Sequence, residues 1–273
     1  MALTGLKSST IMHIVKQAGV MRTKEERIER SRKSVNNHYF DIIDNEHKAY
    51  WLGFLYADGC ISSNRPTINF TLNDKDINHV KAFKQDIESE HKISVRQLIC
   101  PKSKKLTGAA TISFTSHNMR EQLIAKGCVP KKSLILKFPD KSIFTNPDLV
   151  RHFIRGYFDG DGSVFISMEK HWRHGTIVPV IHYRFVGTKE FLEVVRDEIN
   201  LGGRIALAKK DHLYYELVYK RRKKLFDFYK YLYEGATIWL PRKRDIFEKH
   251  IEEKCSETVI SQLKELKGQS SQG

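Results

Sequence analysis

Residues 49–59 read Ala-Tyr-Trp-Leu-Gly-Phe-Leu-Tyr-Ala-Asp-Gly, and residues 153–162 read Phe-Ile-Arg-Gly-Tyr-Phe-Asp-Gly-Asp-Gly. Aligned on the closing Asp-Gly, Gly53 falls on Gly156, Ala57 on Gly160, Asp58 on Asp161 and Gly59 on Gly162, an offset of 103 residues. Self-similarity at a fixed offset marks a chain built twice on one plan. The first copy is apolar on every side, which predicts a helix buried all round. Small residues four apart, Gly53 with Ala57 and Gly156 with Gly160, share one helical face and let two backbones approach closely. Glycine inside a helix costs roughly 0.5–1 kcal/mol relative to alanine, so its recurrence at matched places needs a packing reason. The two helices are expected to pack on each other as the seam between two halves.

The segments that follow each copy repeat in kind. After the first, residues 67–73 alternate as a strand with Ile68, Phe70 and Leu72 on one face. A helix over 76–88, strands over 93–99 and 111–116, and a short helix over 118–126 stopped by Gly127 complete the half. After the second come a strand over 180–186, a helix over 190–199, strands over 204–208 and 213–219, and a basic helix from about 221 to 233 closed by Gly235. Each half reads αββαββα, an α+β unit of roughly a hundred residues, large enough for its own core. The expected division is an N-terminal segment over 1–44, a first half over 45–148, a second over 149–254 and a frayed tail over 255–273. In the N-terminal segment, residues 5–20 read as a turn and short helix, with Ser8 or Ser9 as N-cap and Ile11, Ile14 and Val15 as its apolar stripe. That stretch resembles the second half of a helix-turn-helix, and a basic linker follows over 22–33.

Composition narrows the class of function. The 273 residues are 40% hydrophobic and 29% charged, a folded rather than a disordered balance. Lys and Arg number 47 against 32 Asp and Glu, a net charge of +15, which favours a polyanionic partner and nucleic acid above all. No basic amphipathic helix with an aromatic face, no apolar run long enough to span a bilayer and no secretory signal is visible, so no membrane role and a cytoplasmic start are expected. Cys60, Cys100, Cys128 and Cys255 form no C-x-x-C pair, and the twelve histidines show no metal spacing. No glycine-rich phosphate loop or nucleophile elbow appears.

Asp58 and Asp161 occupy the last turns of the repeated helices, where a carboxylate opposes the negative end of the helix dipole by roughly 0.3–1 kcal/mol. At the foot of a close-packed pair they also oppose each other. A hard, oxygen-ligated cation such as Mg²⁺ would relieve both conflicts.

The two copies at domain spacing, with the repeated element order over about residues 45–250, resemble the single-chain, two-motif (dodecapeptide) LAGLIDADG homing endonucleases. The resemblance implies a pseudo-twofold monomer whose two antiparallel sheets form a saddle over the major groove of double-stranded DNA. It implies an intron-encoded, site-specific nuclease that cuts both strands of a long target with a divalent metal, leaving short 3′ overhangs. Asp58 and Asp161 would be the metal-holding catalytic residues, with Gly59 and Gly162 at metal-site positions. Mg²⁺ is expected, with Mn²⁺ as a substitute and Ca²⁺ supporting binding without cleavage. A basic residue after the last strand of a half, near the scissile phosphate, would fall on Lys220, whereas the first half has Ser116 there. Departures from the motif are Tyr56 and Asp159 at its sixth position and Arg155 at its second, with Asp159 expected to serve structure or polar contact. An RNA intron maturase and a non-cleaving DNA-binding regulator of the same fold are the alternatives left open.

The second face of each strand then supplies candidate base contacts: Asn69, Thr71, Asn73, Arg96, Ser113 and Thr115 in the first half, His182 and Arg184 in the second. Arg221, Arg222, Arg242 and Lys243 are the candidate phosphate contacts.

Overall fold

The computed structural model describes residues 33–99, 106–130, 132–170, 173–208, 214–220 and 224–270. The expected helix over 5–20, nearly all of the basic linker, and Arg221 and Arg222 lie outside the described residues.

The first half runs α1 (Glu46–Asp58), β1 (Gly59–Ile61), β2 (Thr67–Asn73), α2 (Ile77–Asp86), β3 (Ser94–Ile99), β4 (Leu106–Thr115) and α3 (His117–Ala125). The second repeats the order as α4 (Leu149–Asp161), β5 (Ser163–Lys170), β6 (Ile177–Gly187), α5 (Lys189–Ile199), β7 (Arg204–Leu207), β8 (Tyr215–Tyr219) and α6 (Leu225–Tyr233). Each half folds as the αββαββα unit that the alternation and helical periods imply. The two antiparallel sheets have the same strand order, β1-β2-β4-β3 and β5-β6-β8-β7. Ile68, Phe70 and Leu72 of β2, with Ala110, Ile112 and Phe114 of β4, turn into the core, and Tyr183, Phe185, Leu217 and Tyr219 do so in the second sheet. One face of each sheet is thereby covered by helices and the other is left open.

The seam between halves is formed by α1 and α4. A methyl group added to Gly53 would stand 1.9 Å from the carbonyl oxygen of Phe153, and one on Gly156 would stand 1.9 Å from that of Tyr50. These contacts are reciprocal, because Tyr50 and Phe153 are related by the same offset as the two glycines. Lower down, a methyl on Gly160 would meet the Ala57 methyl at 2.3 Å. Every residue from Ala49 to Tyr56 is buried, as the all-round apolar reading requires.

The two motif departures in the second copy, Arg155 and Asp159, are structural. Arg155, 0% exposed, donates from Nε to Ile238 O (3.0 Å), from Nη1 to Leu232 O (2.9 Å) and from Nη2 to Glu46 Oε1 (2.5 Å). Asp159 accepts from Tyr50 Oη (2.8 Å) across the seam and from Leu240 N (2.7 Å). Since that hydroxyl donates to Asp159, His79 Nε2 donates to it in turn, at 2.8 Å. These bonds tie the seam to residues 232–240, with both bonds to Asp159 falling on Oδ2 while its Oδ1 is buried without a hydrogen bond.

One expectation needs correction. Over residues 257–270 the tail is not frayed: α7 (Pro241–Lys254) is followed by α8 (Glu257–Ser270), which buries Leu263 and Leu266 and pairs Lys267 with Glu248 at 2.9 Å. Its apolar spacing suffices for a docked amphipathic helix. Gly59 and Gly162, which follow the two seam helices, have extended backbones (φ −69° at both). What demands glycine there is space, since a methyl would meet Leu55 O at 2.5 Å and Phe158 O at 2.4 Å. Gly127 does take the left-handed conformation after α3, with φ +91°.

Candidate active site and nucleic-acid interface

Asp58 and Asp161 end α1 and α4 at the foot of the seam, each open to solvent on one side. The Asp58 carboxylate reaches toward the second helix, its Oδ2 lying 3.5 Å from where a Gly160 methyl would be. The surrounding protein raises the pKa of both carboxyls, and for Asp58 the charge of Asp161 adds to the effect, pushing it up to about 6. Neither helix has a basic residue in its last turn to offset this.

Two lysines supply the missing positive charge. Lys132, in the connection between halves, donates from Nζ to Gly59 O. Lys243, near the start of α7, donates from Nζ to the carbonyls of Phe158 (2.6 Å), Asp159 (2.7 Å), Gly160 (3.1 Å) and also Gly162. Gly59 and Gly162 are equivalent positions, so the lysines are equivalent too. The sequence bears this out in hindsight: residues 129–132 read Val-Pro-Lys-Lys and 240–243 read Leu-Pro-Arg-Lys. Each ammonium bonds its own half's helix end, yet Lys243 is the strongest cation acting on Asp58 and Lys132 the strongest on Asp161. The centre is composite, with both halves contributing to the field at each carboxylate.

Lys243 was expected on the surface as a phosphate contact and must be reassigned. It is 3% exposed, and burial lowers its pKa to about 8. Helix-end carbonyls left without partners are what draw a lysine inward here. Arg242 beside it points out and pairs with Asp76 of the first half at 2.9 Å. Lys220, expected at the scissile phosphate, pairs instead with Glu169 at 3.4 Å and is not among the charges acting on either carboxylate. Ser116 caps α3 by accepting from Met119 N.

The open sheet faces differ from each other. On the first, the register aligns Thr67 with Thr115, Asn69 with Ser113 and Thr71 with Thr111, whose hydroxyls are 2.9 Å apart, while Asn73 and Arg96 both lie opposite Ala109. This face is a tile of hydroxyl and amide donors and acceptors with Arg96 at its edge strand. On the second, His182 is only 6% exposed and stacks on Phe165 (4.9 Å, 4° between planes), with Nε2 2.7 Å from both Ser167 Oγ and Glu169 Oε1. It is therefore packed within the sheet surface rather than presented from it. Arg184 is tied to Glu216 (2.9 Å) and Ser163 (2.8 Å), its guanidinium lying over Phe165.

The carboxylate pair suits a hard cation: two oxygen donors whose pKa values remain raised despite the lysines, next to open solvent. Among the described residues no group of three or more His, Cys, Asp and Glu side chains comes together, so further donors would be backbone carbonyls, water or a bound phosphate. No described helix is long and apolar enough to cross a membrane.

No protein-family model matches this sequence, and no curated protein matches it significantly. Solved structures do. The LAGLIDADG meganuclease I-AabMI, bound to uncleaved DNA, matches 84% of this chain and 100% of its own with a TM-score of 0.52 at 13% identity. The LAGLIDADG homing endonuclease I-LtrWI, bound to target DNA, matches 85% of this chain and 97% of its own with a TM-score of 0.50, also at 13% identity. This chain has the LAGLIDADG homing-endonuclease fold.

Proposed function

We propose that this chain, with the LAGLIDADG fold established, is a site-specific endodeoxyribonuclease acting as a monomer on double-stranded DNA. The observation that carries the reading is the composite centre: two helix-end carboxylates, Asp58 and Asp161, with Lys132 bonded at the end of one helix and Lys243 at the end of the other, both lysines acting on both carboxylates. Such a centre has the twofold character of its substrate, two antiparallel phosphodiester strands. A divalent cation, Mg²⁺ by preference, would supply Lewis-acid stabilisation of the phosphate and a deprotonated water. Asp58 and Asp161 hold the negative charge that positions such an ion. Lys132 and Lys243 keep an ammonium at each helix end, where charge accumulates on the phosphate, and their bonds to Gly59 and Gly162 fix them before substrate arrives. The sheet faces are the surface for the DNA grooves, and the net charge of +15 drives binding through phosphate contacts.

The test is incubation with a pooled duplex library containing insertion-junction sequences, in Mg²⁺, in Ca²⁺ and in chelator. Defined double-strand cuts with short 3′ overhangs, in Mg²⁺ alone, are expected. Tight, salt-sensitive duplex binding without cutting in any metal would refute the nuclease and leave a regulator. Preference for structured intron RNA over duplex would instead make it a maturase.

A further inference from the structure

We infer that the two halves read DNA by different chemistry, and that the second half recognises thymine methyl groups. This rests on the nuclease reading above and specifies its substrate. The open face of the first sheet carries hydroxyls and amides, among them Asn69, Thr71, Thr111 and Ser113, together with Arg96. Groups of that kind recognise base edges by hydrogen bonding.

The corresponding face of the second sheet is built otherwise. The register places Phe165, Val186, Val218 and Ala206 on it, since Phe165 lies opposite His182, Val186 opposite Glu216, Val218 opposite Arg184 and Ala206 opposite Glu216. All four are partly or well exposed, Phe165 at 39%. Several charges among them are paired in place, Arg184 with Glu216 at 2.9 Å, Lys220 with Glu169 at 3.4 Å and His182 with the same Glu169, while Arg204, exposed and opposite Val218, stands on this face as a cation. Phe165 is fixed between the His182 ring and the Arg184 guanidinium, a rigid apolar platform rather than a mobile side chain.

Carboxylates on a DNA-facing surface repel phosphate, so their presence needs a purpose. Here they hold Arg184 and His182 against the sheet surface, leaving the aromatic and aliphatic groups between Lys220 and Arg204 to meet the DNA. The occupant must be polyanionic, because the protein carries +15 overall and this face adjoins the carboxylate centre where β5 leaves Asp161. It must also offer apolar atoms to a sheet. In a major groove the apolar feature of the base edges is the thymine C5-methyl, and aromatic and small aliphatic side chains are its usual partners.

The experiment begins by selecting the preferred duplex from a randomised pool with the full chain. Thymines in one half of that duplex, then in the other, are replaced by deoxyuridine, which removes only the methyl. Binding is expected to weaken about fourfold per contacted thymine in one half and less than twofold for the whole of the other. Phe165→Ser should abolish its share of that sensitivity, and Val218→Ser, which removes both methyls, should do so at a different base pair. Asn69→Ala should leave it intact. A selected site lacking fixed thymines in either half, equal sensitivity of both halves, or full sensitivity retained in Phe165→Ser and Val218→Ser would overturn the inference while leaving the nuclease reading standing. Failure to select any duplex would overturn both.

Discussion

Replacing Gly53 by alanine sets two physical effects against each other in one residue. Helix propensity alone makes alanine better than glycine by about 1 kcal/mol in a helix interior. At Gly53 the added methyl would stand 1.9 Å from Phe153 O and 2.9 Å from Tyr157 N, both backbone atoms of α4. A carbon meets a carbonyl oxygen comfortably at about 3.3 Å, so the helices must part by more than 1 Å, and no side-chain rotation removes the conflict. Overpacking of this kind costs about 1–3 kcal/mol, and a backbone-to-backbone clash belongs at or above the upper end. Gly53→Ala is therefore expected to lose at least about 2 kcal/mol net, read as a fall in the urea midpoint at unchanged slope. Gly268→Ala is the matched control: that glycine lies in α8 with nothing within 4 Å of the new methyl, and the change should stabilise by about 0.5–1 kcal/mol. Gly156→Ala should repeat the Gly53 result, and the double variant should lose less than the two losses added, because the seam opens once. A Gly53→Ala protein as stable as the parent would refute the reciprocal seam.

Asp58→Asn and Asp161→Asn should each abolish double-strand cutting while changing duplex affinity less than threefold, measured by gel shift in Ca²⁺; full cutting by either would remove the carboxylates from the mechanism. Lys243→Met should lower stability by about 2–4 kcal/mol as well as activity, because it takes the ammonium from the carbonyls of Asp159, Gly160 and Gly162 and from Phe158 O, which keeps its bond from Gly162 N, whereas Lys132→Met should lower activity with a loss of under about 1 kcal/mol. Equal losses of stability would show that the two lysines are not differently anchored. His79, buried and near Arg242, has its pKa lowered to about 3, against 6.5 in an unfolded chain. The unfolded state then binds the extra proton, so this contribution is complete above pH 6.5 and is lost as pH falls toward 3. Between pH 7.5 and 5.5 the stability of the parent relative to His79→Gln should drop by about 1.4 kcal/mol, and a pH-independent difference would contradict the burial of a neutral imidazole.

The fold was legible because its decisive information is local: period, alternation and the doubled motif all lie within runs of ten residues. The same holds for Asp58 and Asp161, whose position in a last turn is visible without any tertiary knowledge. Lys243 was missed for the opposite reason. Its neighbours Arg242 and Arg244 make it look like part of a surface cluster, and only the fold shows its side chain running inward to another helix's end. The repeated Val-Pro-Lys-Lys and Leu-Pro-Arg-Lys was available, but the two copies are 111 residues apart rather than 103, so alignment on the motif hides them. On the strands, alternation identified which residues share a face and could not say what they do there. His182 and Arg184 alternate correctly and are nonetheless committed to Glu169, Ser167, Glu216 and Ser163 within the sheet.

The distribution of the centre along the chain also governs when it can come into being. Asp58 is made early, Lys132 and Asp161 midway, and Lys243 only in the last eighth of the polypeptide. Helix α1 packs on its own half through Trp51 and Phe54 against Phe70, but its seam face has no partner until α4 has left the ribosome, and Lys243 reaches the end of α4 only once α7 follows. A nascent or prematurely terminated chain thus carries both acidic residues without the scaffold that pairs them. For the nuclease proposed above, that order of synthesis would confine cutting to finished molecules.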